Sequence, residues 1–494
     1  MEIILDKNEF TWRREIFSAA ASREEMTDYV VPDALPDIAR IVNVCGGARI
    51  RGKRVENGTV TVETAVAVTA VYVAEGEQQA LRCLETEVEV PVSASVPDAN
   101  ETTDVVASLS VDELEVRMLN PRKILVRACV SAAIRCFNEE KVSIASGISS
   151  GGDLQVLTRS CTAAPVTDVR EKTFTISDEI AMPPSVQGYS HIMCTHTSLK
   201  VTDVKFVGNK LIFKGAALSD ILAQPAGAAL PVSFGATSEF SQILELGAPC
   251  DCAEVLLCLT GAYFNITESD AGKSGVSAEL HILAQAVAGL SREISCISDA
   301  YSNRVPCTVR TESMELPQCP VTSTLRDTFR TLIELPEAAA EVICAGTSFS
   351  APEIRGGQLT SRASVRCMYI DGARQVQLAQ TVDDFTIDAP LPENVCGAMI
   401  NTGEIYAAPS VGGIEVRVTV DADVRSCPMC RLECVTAIEE DAGAARPERP
   451  SVYIIPRRDG ADLWEIAKKY GSTEELIRSA ACDGGNIMLI PVQH

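Results

Sequence analysis

The chain has 494 residues, more than a single hydrophobic core can serve, so it is expected to divide into several units of roughly 100–200 residues. Apolar residues make up 46% and charged residues 22%, the balance of a globular chain and far from the low hydrophobicity that keeps chains disordered. Forty-three basic against 67 acidic side chains leave a formal charge of −24, which repels phosphate backbones and anionic headgroups, so nucleic acid is not an expected partner.

The first residues, MEIILDKNEF, mix charges into apolar positions, and no uninterrupted run of ~18 apolar residues follows anywhere. A soluble protein is expected, without direct membrane insertion and without a standard export signal. From Asn8 to Met26 the sequence reads as a helix with Phe10, Ile16 and Phe17 as its apolar residues, which makes 1–30 an N-terminal helical segment.

A pattern then occurs three times. Its first copy opens Val31-Pro32-Asp33-Ala34-Leu35-Pro36-Asp37-Ile38 and continues through an apolar stretch to Cys45. A hairpin follows, turning at Asn57-Gly58 between Arg51–Glu56 and Thr59–Val73. Asn-Gly between alternating runs is a strong hairpin signal, because both turn residues take positive φ. The second copy opens at Met182-Pro183-Pro184 and turns at Gly208-Asn209; the third opens at Leu335-Pro336-Glu337 and turns at Gly356-Gly357. Further strands follow in each copy, among them Glu85–Val90, Val276–Val287 and Ile414–Val424, with the period-two alternation of half-buried strands.

Turns spaced by roughly 150 residues mark domain-sized repeats rather than a solenoid. The expected fold is therefore mainly β: tandem β-sandwich-like repeat domains, followed by a small α/β module of βααβ order. The boundaries read as a first β domain over 31–145, a linker over 146–170, a second domain over 171–295, a linker over 296–325 and a third domain over 326–438. A linker over 439–450 (EEDAGAARPERP) and a module over 451–494 complete the chain.

Nineteen cysteines, an odd number spread over a long chain and mostly embedded in aliphatic runs, read as small buried hydrophobes of a reducing compartment. The tightest cluster is Cys427-Pro428-Met429-Cys430 with Cys434. Zinc, a redox pair and plain strand thiols all stay open there, although no second CxxC or CxxH completes a tetrahedral set. The four histidines, His191, His196, His281 and His494, fit no zinc-helix spacing, and Walker, GxGxxG and GxSxG motifs are absent from the sequence. The expectation is a non-enzyme without catalytic residues, cofactor or metal.

In the last unit, Val452–Pro456 reads as a strand. Leu463, Ile466, Ala467 and Tyr470 then form one helical stripe, with Asp462 as its cap and Gly471 as its stop. Ser472 with Glu475 is placed to cap a second helix, and Ile487–Pro491 closes as a strand. Between Arg446 and Arg478, seven basic residues face six acidic ones, so this segment is near +1 in a chain of −24. Arg457 and Arg458, in the turn before the first helix, can meet an acidic partner by charge-assisted hydrogen bonds. Arg457, Arg458, Gly460, Asp462, Trp464, Lys468 and Ile487 are the candidate partner-binding residues, with core packing the competing role for Trp464.

This unit resembles the LysM domain, through Tyr453, Gly460, Leu463-Trp464, Ile466-Ala467, Lys469-Tyr470-Gly471, Glu475-Leu476-Ile477 and Leu489-Ile490-Pro491. It departs from that pattern at Ala461, where an Asp usually follows the glycine, and at Cys482 or Asp483, where an Asn usually follows the second helix. Those loops flank the groove in which LysM domains hold N-acetylglucosamine chains, so protein binding and glycan binding both stay open.

The opening Val31–Ile38, its degenerate copies and a terminal LysM together resemble the SipL-like spore coat assembly proteins built from SPOCS domains. That resemblance implies a scaffold in the mother-cell cytoplasm at the forespore surface, docked through its LysM domain to a coat morphogenetic ATPase. The alternative is a LysM protein that binds peptidoglycan.

Overall fold

The computed structural model describes residues 3–76, 80–149, 154–184, 190–225, 230–268, 274–440, 449–456, 460, 462–480 and 487–492. Almost all of them lie in strands, and both α-helices of the described residues fall near the C-terminus.

The first repeat contains β1 (Leu5–Val30), β2 (Ile38–Glu56), β3 (Thr59–Ala74), β4 (Leu81–Glu89), β5 (Val92–Ser95), β6 (Asp104–Asn120) and β7 (Lys123–Ile148). β3 pairs with β2, β4 and β5 in one sheet, and β7 lies between β1 and β6 in another, all antiparallel. The β2–β3 hairpin turns at Asn57 and Gly58, with φ of 50° and 70°, the left-handed region this turn type requires. Val60, Val66, Val68 and Tyr72 from one sheet meet Ile124, Val126, Val130 and Ile134 from the other to form a sandwich core.

The opening motif is clasped by one side chain. Arg122 donates to the carbonyls of Leu35 (2.8 Å) and Val31 (2.9 Å) and to the carboxylates of Asp37 (3.0 Å) and Asp33 (2.9 Å). The planar guanidinium fork fixes the irregular backbone of residues 31–37 against the β6–β7 turn.

The second repeat contains β8 (Leu154–Ala163), β9 (Val166–Ala181), β10 (Ser190–Val207), β11 (Lys210–Pro225), β12 (Val232–Glu245), β13 (Cys252–Glu268), β14 (Ser274–Gly289) and β15 (Arg292–Ser302). Its sheets run β10-β11-β12 and β13-β14-β9, with β8 and β15 as a separate ribbon. The third contains β16 (Cys307–Pro317), β17 (Val321–Glu334), β18 (Glu341–Phe349), β19 (Glu353–Arg355), β20 (Gln358–Ile370), β21 (Val376–Ile387), β22 (Val395–Ser410), β23 (Gly413–Ser426) and β24 (Met429–Glu440). There β20 pairs with β18, β19 and β21, β23 lies between β17 and β22, and β16 pairs with β24.

The first strand of each repeat thus returns to pair with its last. In the first repeat this pairing is almost continuous, from Leu5↔Ile148 to Val30↔Lys123. In the others it is broken near Pro165, Pro317, Pro320 and Pro428, where a proline removes a ladder donor. The outer halves form three two-stranded ribbons that pack side by side. Trp12, Val142 and Ile144 of the first, Ala163, Ile294 and Cys296 of the second, and Leu316, Leu432 and Cys434 of the third share one core.

At the other end the three repeats meet through the bulged strands β2, β10 and β18. Each shifts register at the same place, between Ile41 and Asn43, Ile192 and Cys194, and Val342 and Cys344. Val42, Val71 and Val73 pack there against Met193, Leu222, Met368 and Val376. The buried Asn43 amide lies 3.6 Å from Cys45 Sγ and 3.8 Å from both Cys194 Sγ and Cys344 Sγ. Cys45 and Cys194 form a disulfide between the first and second repeats. These two cysteines are therefore not the unpaired hydrophobes expected of them. Neither neighbourhood in sequence announces the other, because folding brings together positions separated by 149 residues.

Two polar insertions tie the repeats further. Fully buried Gln285 donates to Ala107 O (2.7 Å) and accepts from Ala107 N (3.0 Å), so its amide pairs with β6 as a short strand would. Glu254 of the second repeat bridges Arg135 of the first (2.5 Å) and Arg425 of the third (2.8 Å).

Three expectations are corrected. Residues 8–26 are strand, not helix: β1 lies along the Ile/Val-rich β7, whose unpaired edge supplies a full ladder of partners, whereas Phe10, Ile16 and Phe17 are too few to bury a helical face. The expected linker over 146–170 contains the end of β7, all of β8 and the start of β9. That over 296–325 contains the end of β15, all of β16 and the start of β17. These stretches looked unburied because each strand offers only half of a ribbon, whose second half lies over 100 residues away in sequence.

Replacing Arg122 by Lys keeps the charge but loses the fork, and is expected to lower stability by about 2 kcal/mol in urea unfolding. Glu254→Ala removes the carboxylate paired with the largely buried Arg425, while Arg135 keeps Glu15, and is expected to cost about 3 kcal/mol in the same measurement.

Candidate protein-interaction site in the C-terminal module

The C-terminal module is built from β25 (Val452–Pro456), α1 (Leu463–Tyr470), α2 (Glu474–Ser479) and β26 (Ile487–Pro491). Asp462 caps α1 by accepting from Trp464 N at 2.9 Å, and Gly471 ends it at φ 69°, a conformation that favours glycine. The cap of α2 is Thr473, which accepts from Leu476 N at 3.2 Å, and not Ser472. Ser472 is buried and donates instead to Pro491 O, tying the inter-helix turn to the end of β26.

β25 and β26 pair antiparallel with Ile454 opposite Leu489 and Pro456 opposite Ile487. Opposed residues share a face. Tyr453, Ile455, Met488 and Ile490 face inward, where they pack with Ile466, Ala467, Tyr470 and Ile477 of the helices. Val452, Ile454, Pro456, Ile487, Leu489 and Pro491 form the outer face, on which Val452 is 47% exposed, Ile454 66% and Ile487 53%. A small sheet with an apolar outer face is unusual for a free surface.

The module is seated on the second repeat's ribbon. Trp464 is 6% exposed; its indole packs edge-on against Tyr301 of β15, with ring centroids 4.8 Å apart. Trp464 Nε1 donates to Asp299 Oδ2 at 2.8 Å, and Lys468 Nζ reaches both oxygens of that carboxylate at 2.9 and 2.6 Å. The buried Tyr301 hydroxyl donates to Ser472 O at 2.9 Å, and burial pushes its pKa up to about 12, so it stays a neutral donor.

The candidate residues therefore separate. Trp464 and Lys468 meet at Asp299, inside the chain's own module–ribbon contact. Asp462 is a helix cap, Gly460 is an exposed turn residue at φ 75°, and Ile487 lies on the outer sheet face. Arg457 and Arg458 lie outside the described residues. Asp299 and Tyr301, which organise the seat, sit in a stretch read from sequence as a linker. An unexplained Tyr two residues after an Asp was their only signal.

The thiol cluster divides as well. Cys427 lies just before β24, beside Cys396, while Cys430 and Cys434 lie on β24 facing the second repeat. The neighbouring Cys396 holds the Cys427 thiol below the usual thiol range. Among the described residues no group of three or more His, Cys, Asp and Glu side chains could hold a metal ion. His191 and His196 lie on β10, and His281, on β14, pairs with Glu279 at 2.7 Å.

A family model described as SipL, SPOCS domain matches residues 37–119, which span the sheet of β2 to β5 and nearly all of β6. The match makes this part of the first repeat similar to a SPOCS domain. Neither a curated protein nor a solved structure matches the chain. No helix among the described residues is long and apolar enough to cross a membrane.

Trp464→Ala empties the centre of the module's seat and is expected to cost about 3–5 kcal/mol, read as lost amide-exchange protection across α1. Asp299→Asn keeps an acceptor for the indole and loses only a partly exposed ion pair. The expected cost there is about 1 kcal/mol or less.

Proposed function

We propose that the chain is a non-enzymatic scaffold of spore-envelope assembly, whose LysM-like C-terminal module docks onto a coat morphogenetic ATPase on the mother-cell side of the forespore surface. The observation that carries this reading is the apolar outer face of the β25–β26 sheet, on which Val452, Ile454 and Ile487 are exposed. An apolar patch suits a protein surface, and the sequence pair Arg457-Arg458, which follows β25, suits an acidic one: burial of the patch supplies affinity, and charge complementarity supplies orientation.

Two features agree with a scaffold role. The three sandwiches are filled by apolar side chains, and the polar groups between them, such as Gln285 and Glu254, are engaged in joining repeats. The match to the SPOCS model supplies the sporulation context. Lys468 and Trp464, already committed to Asp299, would hold the module in a fixed attitude toward whatever it binds.

The test uses the full chain against two immobilised baits, the coat ATPase and insoluble peptidoglycan. Ile454→Asp/Ile487→Asp and Arg457→Glu/Arg458→Glu are each expected to weaken ATPase binding by about 10-fold or more, since hot-spot losses exceed ~1.4 kcal/mol. Retention on peptidoglycan, indifferent to both variants, with no ATPase binding, would replace this reading by cell-wall recognition.

A further inference from the structure

Three pairs of cysteines cross the boundary between the second and third repeats. Cys161 of β8 meets Cys430 of β24, and Cys296 of β15 meets Cys434 of β24, all four within the core shared by the ribbons. Cys296 also donates to Glu433 O of the opposing strand at 3.5 Å, which brings the two backbones together at that point. The third pair lies at the elbows of the two repeats. There Ala164 N donates to Pro317 O at 2.7 Å and Gln318 Nε2 to Thr162 O at 3.3 Å, Cys252 Sγ and Ala164 O both lie against Gly289, and the exposed Cys319 neighbours the buried Cys252.

The sequence grouping CxxC…C is thus misleading. Cys427, Cys430 and Cys434 have three different partners, Cys396, Cys161 and Cys296, and two of those three belong to another repeat. Strand geometry requires part of this: Cys430 and Cys434, four apart on β24, project to the same face, toward the neighbouring ribbon.

We propose that Cys161–Cys430, Cys296–Cys434 and Cys252–Cys319 are dithiol pairs that close into disulfides on oxidation and weld the third repeat to the second. The co-reactant is a small-molecule disulfide such as oxidised glutathione. A protein thiolate attacks one of its sulfurs, forming a mixed disulfide and releasing one small thiolate, which takes up the proton the protein thiol gave up. The partner cysteine, losing its own proton, then attacks the protein sulfur of that mixed disulfide and releases the second small thiol. Two protein thiols are oxidised to one disulfide, and one small disulfide is reduced to two thiols. The exposed Cys319 offers the most open point of attack, while the ribbon pairs react as the ribbons part.

Burial and the neighbouring thiols hold Cys161 and Cys434 well above the usual thiol range. These sulfurs are protonated at neutral pH, so oxidation quickens as pH rises from 7 toward 9. The Cys45–Cys194 disulfide joins the first repeat to the second and leaves the third untouched. The proposed bonds complete the set.

The experiment uses the full chain with a protease site inserted at residues 303–306, between β15 and β16, which leaves the two halves linked only through any disulfides. After treatment with oxidised glutathione at pH 8.5 and cleavage, the halves are expected to run as one band without reductant and as two with it. Peptide mass mapping is expected to show the three named pairs. Cys319→Ser/Cys430→Ser/Cys434→Ala is expected to run as two bands throughout, and Cys319→Ser/Cys430→Ser, which spares the buried Cys434, to retain only the Cys296–Cys434 link. Halves that separate without reductant, stable glutathione adducts on these cysteines, or a Cys427–Cys430 bond in their place would overturn the proposal.

Discussion

Everything else in this molecule depends on the pairing of each repeat's first strand with its last. β1 with β7, β8 and β9 with β15 and β14, and β16 and β17 with β24 and β23 close each repeat on itself. The closure is non-local, so its entropy cost is met only when the whole repeat is assembled. It also leaves the outer halves as two-stranded ribbons, which are marginal alone. They are stable here because three of them share a core, and the three repeats therefore behave as one body.

That arrangement explains which strands are buried on both faces. β3, β14 and β20 direct one set of side chains into their own sandwich: Tyr72, Ile282 and Val365. The alternate set goes into a neighbouring repeat, as with Val71, Leu283 and Met368. Their sequences lose clean alternation for that reason. Gln285, on the second face of β14, and Asn43, on β2, are buried and bond across the boundary, Gln285 to Ala107 and Asn43 to Cys194 and Cys344.

The C-terminal module uses the same ribbon surface differently. Asp299 and Tyr301 convert the outside of β15 into a seat, and the module's most conspicuous residues, Trp464 and Lys468, are consumed by it. What the module presents outward is then the far face of its sheet. On the reading proposed above, the docking surface would then point in a defined direction from the β-body.

The strand content, the turns at Asn57-Gly58, Gly208-Asn209 and Gly356-Gly357, and the βααβ order of the last unit were legible in the sequence, because period, turn chemistry and helix caps are local properties. Residues 8–26, the two stretches taken for linkers, the Cys45–Cys194 disulfide and the seat at Asp299 were not. Each depends on a partner more than 100 residues away, which no window of sequence contains. Local chemistry by itself determined most of the strands and where their hairpins turn; the assembly of three ribbons decided that residues 8–26 and the two expected linkers are strands too, which strands pair, which cysteines meet and which face of the last module remains free.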